Sequence, residues 1–169
     1  MENIILIGMP GAGKSTVGVV LAKILGFDFV DSDIVIQRQV GKRLCDILEE
    51  EGLEAFLETE NRINSGLNLK KTVIATGGSV VYGKEAMAHL KSIGAVIYLQ
   101  LSCAAVERRL GDLKRRGVAM KEGESLRELY EERSDLYEKY ADYILDCNNL
   151  TIEETIAQAV ELCRSIAEV

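Results

Sequence analysis

Eight consecutive residues, Gly8-Met9-Pro10-Gly11-Ala12-Gly13-Lys14-Ser15, fit the phosphate-loop pattern G-x-x-x-x-G-K-[ST] without a mismatch. Their neighbours suit the task. The apolar run Ile4–Ile7 before them reads as a buried strand, and Val17, Val20, Leu21, Ile24 and Leu25 after them recur at helical spacing. A strand, a glycine-rich turn and a helix N-terminus together aim free backbone N–H groups and the helix dipole at one point, which makes an anion site. Gly11, Ala12, Gly13, Lys14, Ser15 and Thr16 are the expected nucleotide-contacting residues. Lys14 is expected to reach the β- and γ-phosphates of ATP, and the Ser15 hydroxyl to ligate Mg²⁺. Pro10, the only proline in the chain, lies inside the loop, where a fixed φ suits a tight turn.

Further polar residues cluster at predicted strand ends. Asp31-Ser32-Asp33 closes the second strand, where ligands of doubly wound sheets sit. One carboxylate there can hold water around Mg²⁺ while the other accepts a hydrogen bond from a substrate hydroxyl, although D-x-D also serves commonly as a cap or turn. Thr76-Gly77-Gly78-Ser79 follows the third strand, and paired glycines let backbone N–H groups come close to a ligand. Arg109, Arg115, Arg116 and Arg133 are candidate anion clamps through paired guanidinium hydrogen bonds, although each taken singly reads as a solvated surface charge. Glu49–Glu51, Glu54, Glu58 and Glu60 read as a hydrated helix face. His89, the only histidine, has no nucleophile motif near it and reads as a surface or structural residue.

The elements needed to position these groups are legible as an alternation. Strands are expected at 3–7, 28–31, 72–75, 94–99 and 142–145, and helices at 14–25, 32–40, 43–50, 52–68, 83–91, 102–110, 124–139 and 151–168. Such alternation marks a parallel sheet covered on both faces. Length suits one domain: the chain has 169 residues, 47% of them hydrophobic. Residues 32–68 form an acid-rich helical insertion. Residues 111–123, cationic and punctuated by glycine, suit a loop that closes over a charged ligand or an ordinary surface loop. No apolar run approaches the ~18 residues of a membrane span, and no signal peptide is expected. The net charge of −7 argues against broad nucleic-acid binding. Four widely spaced cysteines without a C-x-x-C pair read as reduced thiols rather than a zinc site.

In order and spacing these motifs resemble the shikimate kinases, small P-loop enzymes related to the nucleoside monophosphate kinases. The likeness runs through the phosphate loop, Asp31-Ser-Asp33, Gly41–Phe56 ahead of Glu60, Gly77-Gly78, Arg116 and Arg133-Ser-Asp-Leu-Tyr137. It implies a three-layer α/β/α P-loop kinase fold with a five-stranded parallel sheet, a substrate-binding region at 32–68 and a lid at 111–123. It also implies a reaction, the phosphorylation of a ring hydroxyl of shikimate by ATP. By position, Asp33 would bind the attacked hydroxyl and take its proton, and Asp31 would act on Mg²⁺ through water. Gly77 and Gly78 would line the acceptor pocket, Arg133 would grip the acceptor carboxylate, Arg116 would close over the transferring phosphate, and Arg109 would pack on the adenine. The family expectation is a cytoplasmic monomer whose partner is a small-molecule acceptor, with no nucleic acid and no membrane involved.

Three motifs depart from the family. Its Phe-Arg-x-x-Glu pattern reads Phe56-Leu57-Glu58-Thr59-Glu60 here, so Leu57 replaces an arginine that helps hold the acceptor carboxylate. A third pocket glycine is Ser79, and the lid motif Arg-Pro-Leu-Leu becomes Arg116-Gly-Val-Ala. Losing one charge-assisted hydrogen bond of about 1.5–3 kcal/mol weakens affinity roughly 10- to 150-fold. Leu57 and Ser79 therefore keep open a second reading, a same-fold kinase of another polyol or sugar acid. A third, a non-catalytic nucleotide-binding regulator, sits poorly with retention of the acceptor-side Asp33.

Overall fold

In the computed structural model, which describes residues 2–110 and 117–167, five parallel strands form one sheet in the order β2-β3-β1-β4-β5. These are β1 (Asn3–Ile7), β2 (Asp28–Asp31), β3 (Thr72–Ala75), β4 (Ala95–Gln100) and β5 (Tyr143–Asp146). The central strand β1 is buried along its whole length, as its unbroken Asn-Ile-Ile-Leu-Ile run requires of a strand covered on both faces. It pairs Ile4 with Val73 on one side and Ile7 with Tyr98 on the other. The chain leaves β1 toward β2 on one side, and the next strand beyond β1 on the other is β4. That reversal opens a crevice at the carboxyl end of β1, where the phosphate loop lies.

Seven α-helices accompany the sheet among the described residues: α1 (Lys14–Leu25), α2 (Ser32–Val40), α3 (Leu44–Ser65), α4 (Lys84–Ile93), α5 (Cys103–Arg109), α6 (Leu126–Tyr140) and α7 (Ile152–Ala167). Their ends follow local chemistry. Ser125 and Glu128 form a reciprocal capping box that starts α6, and Gly26 and Gly41 close α1 and α2 in left-handed geometry. The two helices expected at 43–50 and 52–68 join as α3, with Gly52 breaking the helical path at φ 84° and ψ 172°. A 3-10 turn at Val80–Tyr82 has no counterpart among the expected elements.

Two apolar clusters hold the fold. The larger packs both faces of the sheet around Ile4–Ile7, Val73, Ile74 and Val96–Leu99. The smaller joins Ile36 of α2, Ile47, Phe56 and Ile63 of α3, and Ala119 from the second half of 111–123. This second cluster fixes the helical insertion against the edge of the crevice. It also holds Ala119, while Val118 and Met120 pack on the main core. The four cysteines are free. No helix among the described residues is long and apolar enough to cross a membrane.

Candidate active site

The carboxyl ends of β1, β2 and β3 converge on one crevice because the strand register levels them. Asp31 pairs with Ala75, so Asp31–Asp33 and Thr76–Ser79 emerge side by side. Thr76 fixes the second of these segments, its backbone N–H and its hydroxyl both donating to the Leu6 carbonyl, at 3.2 and 2.9 Å. The crevice holds a cavity of about 300 Å³, at the small end of ligand sites. Lys14, Ser15, Thr16 and Arg133 line it, with Asp33 and Gly77–Ser79 as its floor. Leu44 and Phe56 of α3, with Val118 and Ala119, make an apolar side.

The phosphate loop is built as its sequence suggests. Gly13, at the N-cap of α1, takes φ 92°, a left-handed geometry that glycine adopts without steric cost. Lys14 is buried, and its Nζ donates to the carbonyls of Gly8 and Met9 at 2.7 and 2.8 Å. Burial pushes its pKa down to about 8, against the pull of the Asp33 and Asp31 carboxylates. Arg109 stands exposed beside the loop, its guanidinium donating to the Gly11 carbonyl at 3.3 Å.

Asp31 has two tasks. It caps α2 by accepting the Asp33 N–H at 3.0 Å, and its other oxygen accepts the Ser15 hydroxyl at 2.7 Å. The cap reading and the ligand reading of D-x-D thus coexist in one residue. Ser15 and Asp31 present adjacent hard oxygens at an exposed edge of the phosphate loop, a donor set that suits Mg²⁺ with water completing its shell. Asp33 points into the cavity, and burial first, then the Asp31 charge, raises its pKa to about 6.

Gly77 is required by space. A Cβ there would stand 2.5 Å from Asp33 Oδ1 and 2.9 Å from Glu60 Oε2. At Gly78 a Cβ would meet Pro10 and, at 2.9 Å, Arg133 Nη1, so the guanidinium lies directly against this backbone. Arg133 is not the solvated charge that its type suggests when read singly: it is 1% exposed. Tyr82 lies beneath its guanidinium at 5.5 Å, and Nη2 donates to the Ala119 carbonyl. Tyr137, one turn later on α6, donates to the Gly78 carbonyl at 2.6 Å and so fixes the same floor.

Some expected residues fall elsewhere. Leu57 is not part of the cavity lining; it is half-buried in an adjoining groove with Leu53, Asn61 and Tyr82. Arg115 and Arg116 lie outside the described residues, as does the 111–116 half of the expected lid. Glu60 corrects the hydrated-face reading of the α3 acids. While Glu49–Glu51, Glu54 and Glu58 are exposed, Glu60 is 2% exposed and accepts the Ser79 hydroxyl at 2.7 Å. His89 is structural, with Nε2 2.6 Å from the Leu67 carbonyl.

This arrangement has relatives. The family model for shikimate kinase matches residues 10–164. The chain belongs to the shikimate kinase family. A curated shikimate kinase of Thermodesulfovibrio yellowstonii is 39% identical over 164 residues, covering 95% of this chain and 94% of the relative. Among solved structures, a shikimate kinase from Acinetobacter baumannii in complex with shikimate superposes with a TM-score of 0.81 at 29% identity, covering 98% of this chain and 94% of that one. The shikimate kinase from Aquifex aeolicus gives the same TM-score at 28% identity, with 98% of each chain covered. Membership in the shikimate kinase family makes the chain an ATP-dependent phosphotransferase that acts on a small, shikimate-like hydroxylated metabolite. The three-layer α/β/α P-loop kinase fold expected from the sequence is the fold observed.

Proposed function

We propose that this member phosphorylates shikimate itself, giving shikimate 3-phosphate and ADP. The observation that carries this reading is one cavity lined by the phosphate loop, the half-buried carboxyl group of Asp33 and the buried guanidinium of Arg133. Arg133 receives the acceptor carboxylate, and Gly77 and Gly78 bring bare backbone against the ring. Asp33 accepts a hydrogen bond from the attacked hydroxyl. As the hydroxyl oxygen bonds to the γ-phosphorus and the bond to the β–γ bridging oxygen breaks, the hydroxyl proton passes to Asp33 and ADP leaves. Lys14 neutralises charge on the transferring phosphoryl group, and Arg116 is assigned the same task from the lid, 111–123. Arg109 borders the nucleotide end. Mg²⁺ held by Ser15 and, through water, by Asp31 would offset phosphate charge. Positioning and charge neutralisation supply most of such catalysis, so this set is sufficient. The helical region 32–68 forms the acceptor side, and the protein works as a cytoplasmic monomer.

The test is a coupled ADP-release assay with Mg·ATP and shikimate, run beside a panel of polyols and sugar acids. Shikimate-dependent turnover with kcat/KM of about 10⁴ M⁻¹s⁻¹ or more is expected. Silence with shikimate and turnover with a panel member overturns the acceptor assignment in favour of a second reading, a kinase with a rebuilt acceptor side. The Ser79 hydroxyl on the cavity floor and the aliphatic Leu57 are what favour that alternative.

A further inference from the structure

Glu60 lies on a helix whose neighbouring glutamates face water, yet it is buried beneath the cavity floor. Its Oε1 accepts the Ser79 hydroxyl at 2.7 Å. Its Oε2 is buried and has no hydrogen-bond partner among the described residues. That oxygen points at Gly77, since a Cβ there would be 2.9 Å from Glu60 Oε2 and 2.5 Å from Asp33 Oδ1. Two carboxyl groups therefore face each other across a residue with no side chain. One helical turn earlier on α3, where a cation could neutralise this carboxylate, the chain has Leu57.

We propose that Glu60 is a positioning residue for the acceptor, acting through Ser79 and across Gly77, so that the charge on its carboxyl sets acceptor affinity. The proposal rests on the reading of this cavity as the acceptor site. With Glu60 neutral, Ser79 is held in place and Asp33 alone contributes negative charge to the floor. With Glu60 ionised, a second buried negative charge lies beside Asp33 and repels an acceptor that carries a carboxylate.

The groups facing Glu60 are Ser79 from the loop after β3, Asp33 from α2, and Arg133 and Tyr137 from α6. Burial raises the Glu60 pKa to about 7; the Ser79 hydrogen bond and Arg133 oppose this and Asp33 adds to it. The switch between the two forms thus falls within the working range of pH. Glu60 touches neither nucleotide nor acceptor, so its ionisation should move the acceptor KM and leave kcat nearly constant.

The experiment reads shikimate KM and kcat from pH 6 to 8.5 in the wild type, Glu60→Gln and Ser79→Ala, with the fold of each variant checked by circular dichroism. In the wild type, KM is expected to rise about tenfold through pH 7, a change of about one logarithmic unit. Glu60→Gln keeps an acceptor for Ser79 but cannot ionise, and should abolish the rise. Ser79→Ala removes a hydrogen bond that favours the ionised form, and should move the midpoint upward. A flat wild-type KM, or a rise that survives in Glu60→Gln, overturns the proposal. If Glu60→Gln does not fold, an unmoved midpoint in Ser79→Ala does the same. In glutamate-labelled protein without substrate, the ¹³C resonance of the Glu60 carboxyl should titrate near pH 7, and titration in the ordinary carboxylate range also overturns it. Turnover with a pH-independent KM sinks this proposal alone, whereas silence with every acceptor sinks the reading of the cavity as well.

Discussion

Lys14 and Asp33 are displaced from their ordinary pKa values in opposite directions for one physical reason. Burial disfavours charge on either, lowering the ammonium to about 8 and raising the carboxyl to about 6. Between those values both carry the charge that phosphoryl transfer needs. In Glu60→Gln, whose acceptor KM has no step near pH 7, kcat/KM should therefore fall as the pH drops through about 6, where Asp33 gains its proton, and fall again above about 8, where Lys14 loses one. The pH–rate profile measures both limbs. Asp33→Ala should lower turnover by about 10²- to 10⁴-fold, the span of general acid–base contributions. The nucleotide Kd of that variant should change little, because the Lys14 ammonium is held by the loop carbonyls of Gly8 and Met9 and not by Asp33. Near-normal turnover in Asp33→Ala contradicts its assigned role.

At the scale of elements, the apolar side of the acceptor cavity depends on α3. Phe56 is 2% exposed, lines the cavity and belongs to the small cluster that joins α2, α3 and Ala119. Phe56→Ala leaves a hole in that cluster, so it should cost about 3–5 kcal/mol of stability. In a chain of this size that lowers Tm by roughly 2–4 °C per kcal/mol, and calorimetry reads it directly. Acceptor KM should suffer more than nucleotide KM, because the cluster borders the acceptor wall. The strands and helices themselves were legible because apolar spacing records which faces are covered: β1 reads as a continuous run, and α1 begins where the phosphate loop ends. What the spacing did not record is which charged residues are covered. Glu60 lies three residues before Ile63 and four after Phe56, both buried, so its place on the inner face of α3 was available from helical periodicity. Its charge concealed that pattern. Arg133 was legible as a candidate anion clamp from its type, but its burial was not, since that depends on Tyr82 and Gly78, both far from it in sequence, and on Ala119.

For the whole molecule, the crevice stores ionisable groups at a cost in stability that folding elsewhere offsets. Lys14, Glu60 and Arg133 are all buried around one cavity, and such groups are retained for chemistry rather than for stability. Glu60 makes the cost measurable. Its pKa in the folded chain is about 7 against an ordinary value of 4.5, so between those values the folded state binds more protons than the unfolded state. The stabilisation this gives is complete below pH 4.5 and is lost as the pH rises through 7. Asp33, raised from 3.8 to about 6, acts with the same sign in a lower window. Lys14, lowered to about 8, destabilises by an amount that stays constant below that pH and lessens only above it. Comparison with Glu60→Gln removes the terms common to both proteins. The wild type should lose Tm relative to the variant as the pH is raised from 5 to 8, with each kcal/mol of the difference worth about 2–4 °C. Differential scanning calorimetry of both proteins across that range provides the measurement. A constant Tm difference would mean that Glu60 already carries its charge in the folded protein at pH 5, and that the cavity floor holds two negative charges throughout the working range.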